Sequence, residues 1–350
     1  VRGGFRVADC NRHVIEPAEV WRDWLEPAFR EEISVGGSPL SLRVRGRPVL
    51  QGFPDYLRDA SFGIEHCLHD MDAEGVDAAI LLPAAAMYAV AAEHVDPELA
   101  AALCRAYNNW LAEQIASHRD RLKGVALLPL QDPSAAAAEL RRAANDLKFV
   151  AGLILPNPLL GRKPHDRVYD PLYAAAEAVG VPLVVSQAPG LPAPQIGHDR
   201  YRAPFALKGV AEPFELWLAA ASFSGHNVLE RFPGLKVGLI GAGCGWLPFW
   251  IDRLDEHWGN SFGTDAPNVL PPEDIFERQM FAACDPWENS LPDVMDELGE
   301  HTVVWGSHYP LPELAKFFPN EVDHIAGAED LSSERRRAIL WDNAARLFRL

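Results

Sequence analysis

Residues 149–187 read FVAGLILPNPLLGRKPHDRVYDPLYAAAEAVGVPLVVSQ. Two short, near-continuously apolar runs, FVAGLILP (149–156) and VPLVVSQ (181–187), flank the amphipathic segment DPLYAAAEAVG (170–180). Runs of this kind suit strands buried on both faces, and such strands are joined in parallel by helices. The stretch therefore predicts a strand–helix–strand unit of a parallel sheet.

The same unit recurs on both sides. Further β-rich runs are FRVADCNRHVI (5–15), DAAILLP (77–83), LKGVALLPL (122–130), LKVGLIGA (235–242), RQMFAACD (278–285) and HTVVWGSHYP (301–310). Helical segments include PELAAALCRAYNNWLAEQIASH (97–118), DPSAAAAELRRAANDL (132–147) and the final SSERRRAILWDNAARLFRL, which opens with Ser and a Glu in its first turn. Eight strands alternating with helices in 350 residues predict an α/β protein, a distorted (β/α)8 TIM barrel with loop insertions, as one domain over 1–350. A doubly wound sheet is the alternative, but no GxGxxG follows the first strand. Residues 28–60 read as a small β insertion, and 188–215 and 257–277 as loops over the barrel mouth.

Composition narrows the function. A net charge of −17 repels phosphate backbones and anionic lipid, so the expected partner is a small-molecule substrate, with no nucleic acid and no membrane. No apolar run reaches about 18 residues, the length that spans a bilayer. Five widely spaced cysteines without a CxxC pair read as reduced thiols, and VRGGFRVADC is too short and polar for a signal peptide, so a cytoplasmic location is expected. The ten tryptophans permit a homodimer.

In a barrel, chemistry belongs at the C-terminal strand ends. Those ends carry Asn11 and His13, Pro83, Leu130, Pro156, Ser186 and Gln187, Gly241 and Ala242, Cys284 and Asp285, and His308 and Tyr309. The polar residues fall where a site is expected.

Several segments together resemble the amidohydrolase-related family that contains aminocarboxymuconate-semialdehyde decarboxylase and the aromatic-acid decarboxylases. They are HVIEPAEVWRDWLEPAFRE, MDAEGVDAAILLP, LLPLQDPSAAAAELRRA, FPGLKVGLIGAGCGWLPFWIDRLDEHW, VVWGSHYP and NAARLF, in the family's order over most of the chain. The resemblance implies the same barrel and a metal site. In that family the site uses an acidic residue or His two before a His on strand one, a His ending strand five, a Glu or His on strand six and the Asp of GSDxP on strand eight. Here the first pair is Asn11 and His13, the strand-five position is Ser186, the strand-six motif is Gly241-Ala242-Gly243 and the strand-eight position is His308. A zinc site needs about three protein ligands from Cys, His, Asp or Glu. His13 and His308 supply two, so no tightly held catalytic metal and no other cofactor is expected.

His13 and His308 are then candidates for an acid/base pair across the neighbouring first and eighth strands. Asp285 is a candidate carboxylate base, or else an N-cap for the helix beginning PWENSL. Asn11, Ser186 and Gln187 can donate hydrogen bonds to a substrate carboxyl or carbonyl. Trp246, with Pro248, and Tyr309 are candidate walls of the substrate pocket. Glu16 is expected to brace the loop after strand one, and Arg253 and Asp255 to tie helix to loop. His66 and His69 are expected to be surface or structural, whereas His198 can reach the site from above.

Three readings of function follow. The first is a metal-independent lyase or cyclase working by histidine acid/base chemistry on a small apolar carbonyl or carboxyl compound; loss of a metal hurts such reactions less than it hurts hydrolysis. The second is a metal-dependent decarboxylase or hydrolase with a rearranged site. The third is a non-catalytic binding protein or partner subunit.

Overall fold

The computed structural model describes residues 1–36, 40–53, 63–186, 191–260, 268–310 and 317–350. In chain order the strands are β1 (Ala8–Val14), β2 (Ile33–Gly36), β3 (Leu40–Val44), β4 (Arg47–Phe53), β5 (Ala78–Pro83), β6 (Leu122–Ala126), β7 (Ala151–Ile154), β8 (Leu183–Ser186), β9 (Val237–Ile240), β10 (Met280–Cys284) and β11 (Val303–Trp305). β1 and β5 to β11 form one eight-stranded sheet in sequential order, with every ladder parallel. Each of the eight predicted strands is present, shortened at its ends. β5 and β7 to β11 are buried along their whole length, as their uninterrupted apolar character requires. Helices cover the outside, and the whole is a (β/α)8 barrel.

Local signals start and stop these helices. Asp96 and Asp132 accept hydrogen bonds from the first-turn N–H groups of Pro97–Gln114 and Pro133–Arg142, each with Pro in first place. Asp170–Val179 closes on Gly180, whose φ of 67° suits a residue without a Cβ. The region 28–60 contains a three-stranded antiparallel sheet, β2–β3–β4, with Leu42, Val44, Val49 and Leu50 buried. Of the stretch 188–215, residues 188–190 lie outside the described residues and only 191–203 are loop, because Pro204–Ser224 is a long helix. Likewise 257–260 belong to the helix Leu247–Asn260 and 272–277 to the helix Pro272–Gln279, while 261–267 lie outside the described residues. Their apolar spacing was masked by proline, which both Pro204–Ser224 and Pro272–Gln279 place in the first turn.

The barrel closes between β1 and the segment after β11. The His13 N–H donates to the Tyr309 carbonyl at 2.7 Å, and the His308 N–H to the Asn11 carbonyl at 2.9 Å. Asp9, fully buried, accepts the Ser307 N–H at 3.0 Å and the Ser307 hydroxyl at 2.6 Å. Gly306 makes this approach possible, since a Cβ there would lie 2.5 Å from the Asn11 Cβ. Gly306→Ala should therefore push the two segments apart and lower stability by about 1–3 kcal/mol. Denaturant unfolding of the variant measures that loss; unchanged stability would show that the seam has slack.

Behind the seam lies a buried charge cluster. Arg12 of β1 has no exposed surface, and its Nη1 donates to Glu74 at 2.7 Å and Asp9 at 3.2 Å. Its guanidinium lies 3.7 Å from the centre of the Tyr309 ring. The Tyr309 hydroxyl donates to Asp70, which also pairs with His66 at 3.1 Å.

Candidate active site

The closing seam delivers Asn11, His13 and His308 to the C-terminal mouth of the barrel, beside Asp285 at the end of β10. His308 is buried with a left-handed backbone, φ 62°, and is held from both sides. Its Nε2–H donates to Asp285 Oδ1 at 2.6 Å, and its Nδ1 accepts from the Asn11 amide at 3.0 Å. The other amide atom, Asn11 Oδ1, is buried without a hydrogen-bond partner among the described residues. Turning that amide over would let Oδ1 accept from a protonated Nδ1, so the pocket can hold the ring in either charge state. Asp285 keeps about a fifth of its side chain exposed, and so is the member of the pair that reaches the mouth.

His13 is partly buried, and its Nδ1 bonds the Pro83 carbonyl at 3.2 Å. A carbonyl accepts only, so Nδ1 carries the proton and Nε2 the lone pair. Burial pushes the imidazole down to about 4, and nearby His308 adds to the fall against the pull of the Pro83 carbonyl and Asp9. A neutral ring with its lone pair on Nε2 is the form a general base needs at neutral pH. The two imidazoles are not hydrogen-bonded to each other as a pair, because His308 commits both nitrogens to Asn11 and Asp285. Their coupling is electrostatic.

Asp285 does not cap the following helix, which begins at Leu291 after Ser290. Its backbone N–H instead donates to Glu288 at 2.9 Å. Glu288, absent from the sequence candidates, also accepts the N–H groups of Cys244 at 2.8 Å and Gly245 at 2.7 Å. Gly243, with φ 61°, leaves the room: a Cβ there would lie 2.6 Å from Glu288 Oε1. The GAGCG tract is thus a backbone cradle for a carboxylate from the same chain. Burial pushes the Glu288 carboxyl up, while the cradle's N–H groups draw it down. A glycine-rich tract with an acidic residue just past the next strand was the available signal.

Ser186 ends β8 and is buried, with its Oγ facing Gly241. Gln187 lies outside the described residues. Trp246 stacks on Trp217 at 5.2 Å and donates its Nε1–H to the Gly243 carbonyl. Tyr309 does not offer its hydroxyl to the mouth, because its ring covers Arg12 and its hydroxyl is bound to Asp70. Glu16, in the loop after β1, accepts the N–H groups of Ala84 and Ala85 and so ties that loop to the turn after β5. Asp255 accepts the Glu273 N–H and so ties two helices together, while Arg253 bonds Glu256 and His257 on its own helix. His198 and His69 are exposed, and His66 is partly exposed.

Four side chains, two of them imidazoles and one a carboxylate, thus stand together at the mouth of the (β/α)8 barrel. The Amidohydrolase family profile matches residues 8–350, and the chain belongs to that family. Gamma-resorcylate decarboxylase of Rhodococcus jostii (strain RHA1) is 30% identical over 300 residues, spanning 80% of this chain and 85% of that one. The 5-carboxyvanillate decarboxylase LigW from Sphingomonas paucimobilis superposes with a TM-score of 0.78 at 24% identity, covering 99% of this chain and 100% of that one. A dihydroxybenzoic acid decarboxylase from Polaromonas sp. JS666, with bound manganese and 2-nitroresorcinol, superposes with a TM-score of 0.72 at 22% identity over 99% and 97% of the two chains. The reading of a lyase rather than a hydrolase stands with these relatives, which are decarboxylases by name.

A metal is implied by that manganese-bound relative, so the comparisons lend metal independence no support. The donor set here does not fit one. Among the described residues no three His, Cys, Asp or Glu side chains are grouped to hold an ion. Both His308 nitrogens and the His13 Nδ1 are engaged by protein groups, and Asn11 and Ser186 offer only neutral oxygens, which suit transition metals poorly.

Proposed function

We propose that the chain is a lyase that decarboxylates a small hydroxylated aromatic carboxylic acid by proton transfer, without a resident metal. One observation carries the reading: the 2.6 Å bond between His308 and Asp285 beside an imidazole, His13, that is held neutral. The substrate class rests on the curated relatives, which act on such acids by name.

Decarboxylation puts a proton on the carbon that bears the carboxylate. The bond to that carboxylate breaks, its electron pair returns to the ring, and CO2 leaves, so each turnover consumes one proton. With His308 protonated on both nitrogens, its Nε2 proton passes through Asp285, the exposed member of the couple, to that carbon, and water at the mouth returns one proton to the couple after each turnover. His13 takes the proton of the neighbouring hydroxyl as the ring is protonated and returns it when aromaticity is restored. Asn11 follows the charge of His308 by amide rotation. Ser186, with Gln187 next to it in sequence, holds the carboxylate as a neutral donor, and Trp246 walls the pocket.

The test is CO2 release from a panel of phenolic acids that includes 2,6-dihydroxybenzoate and 5-carboxyvanillate. Turnover should survive exhaustive dialysis against a strong chelator and gain nothing from added Mn2+. Activity that vanishes on chelation and returns with Mn2+ would overturn the metal-free reading.

A further inference from the structure

We propose that Glu16 is a positioning residue for His13, fixing the orientation and tautomer of its ring by gripping the turn after β5. The inference rests on the base role given to His13 above. Glu16 is three residues beyond His13, so both leave β1 together and both return to the same turn. Oε1 of Glu16 accepts the Ala84 N–H at 3.0 Å and Oε2 the Ala85 N–H at 2.7 Å. The Pro83 carbonyl that accepts the His13 Nδ1–H belongs to the same peptide unit as the Ala84 N–H. The turn is therefore clamped between a carboxylate on one side and an imidazole on the other.

The alternative, that Glu16 itself exchanges protons with a substrate, fits poorly. The residue is only 5% exposed, and each carboxylate oxygen is engaged by a backbone N–H. Burial pushes its carboxyl up to about 7, while backbone N–H groups of the turn draw it down. Tyr107, whose buried hydroxyl has no hydrogen-bond partner among the described residues, feels the Glu16 charge. A carboxylate in such a place is held there for what it grips. If the turn shifts, the Pro83 carbonyl shifts with it, and Nδ1 loses the acceptor that keeps the proton off Nε2.

Glu16→Gln and Glu16→Asp test this. Gln keeps one acceptor but sets an amide NH2 against an N–H, so donor meets donor. Long-range 1H–15N spectra of the histidines, with the His13 signal assigned by His13→Gln, read the tautomer directly. In the wild type His13 should show a single Nδ1–H tautomer, the one its bond to the Pro83 carbonyl requires. Glu16→Gln should show mixed tautomers, with kcat lowered by roughly 10–100-fold at unchanged KM, the scale of a misplaced reacting group. Glu16→Asp, which keeps both acceptors on a shorter stem, should fall between. An unchanged tautomer in folded Glu16→Gln and Glu16→Asp would overturn the positioning role. A disturbed tautomer with undiminished turnover would support it and would instead refute the base role of His13.

Discussion

His308→Asn should lower kcat by roughly 10²–10⁴-fold, the usual range for removing a positioned acid/base group. The substitution keeps a polar side chain of moderate size in the pocket but cannot carry a proton between Asp285 and the seam. Asp285→Asn should cost about as much, because it removes the group facing the mouth and leaves His308 donating to a neutral amide. The double variant should be no worse than either single one, since residues acting as one unit are strongly non-additive. Steady-state CO2 release measures all three, with near-UV circular dichroism confirming that each has folded. If the losses multiply, the two residues act separately; if His308→Asn keeps wild-type turnover, the couple is not the proton source.

The second large effect is on stability. Arg12→Met should cost about 3–5 kcal/mol, because it strands the buried carboxylates of Asp9 and Glu74. That is a fifth or more of the roughly 5–15 kcal/mol that holds an ordinary protein folded. Burial already pushes the Glu74 carboxyl up to about 7, with Arg12 opposing the rise. Removing Arg12 raises it further, which fixes the sign of the pH dependence. A carboxyl with a raised folded-state value adds stability below its unfolded value, and that stability is lost as pH rises through the folded one. The deficit of Arg12→Met should therefore be smaller near pH 5 than near pH 8, as denaturant titrations at the two pH values would read. A deficit that grew on acidification would mean that Glu74 is not the group left stranded.

The barrel was legible in the sequence because its strands are buried on both faces and leave continuous apolar runs such as AAILLP and LVVS. Asn11, His13, Asp285 and His308 were legible because topology alone places strand ends at the mouth. What stayed hidden depends on distant partners. Arg12 alternates with residues facing the barrel, and nothing local says that Glu74, 62 residues away, will neutralise it. Glu288 was missed because the GAGCG tract read as a loss of side chains, whereas the backbone there grips one. Tyr309 looked like a pocket wall from its neighbour His308, but its hydroxyl answers to Asp70 on an outer helix.

The seam has a kinetic consequence. Asn11 and His308 are 297 positions apart, and the contact that orients His308 is made by the same segments that close the barrel. Contacts between residues so far apart in sequence form late, after the entropy of bringing them together has been met. A chain whose other six strands have already paired therefore still lacks the contact that orients His308. Recovery of turnover during refolding should lag the return of secondary structure and coincide with the final locking of the barrel, which makes catalysis itself the clock for the last step of folding.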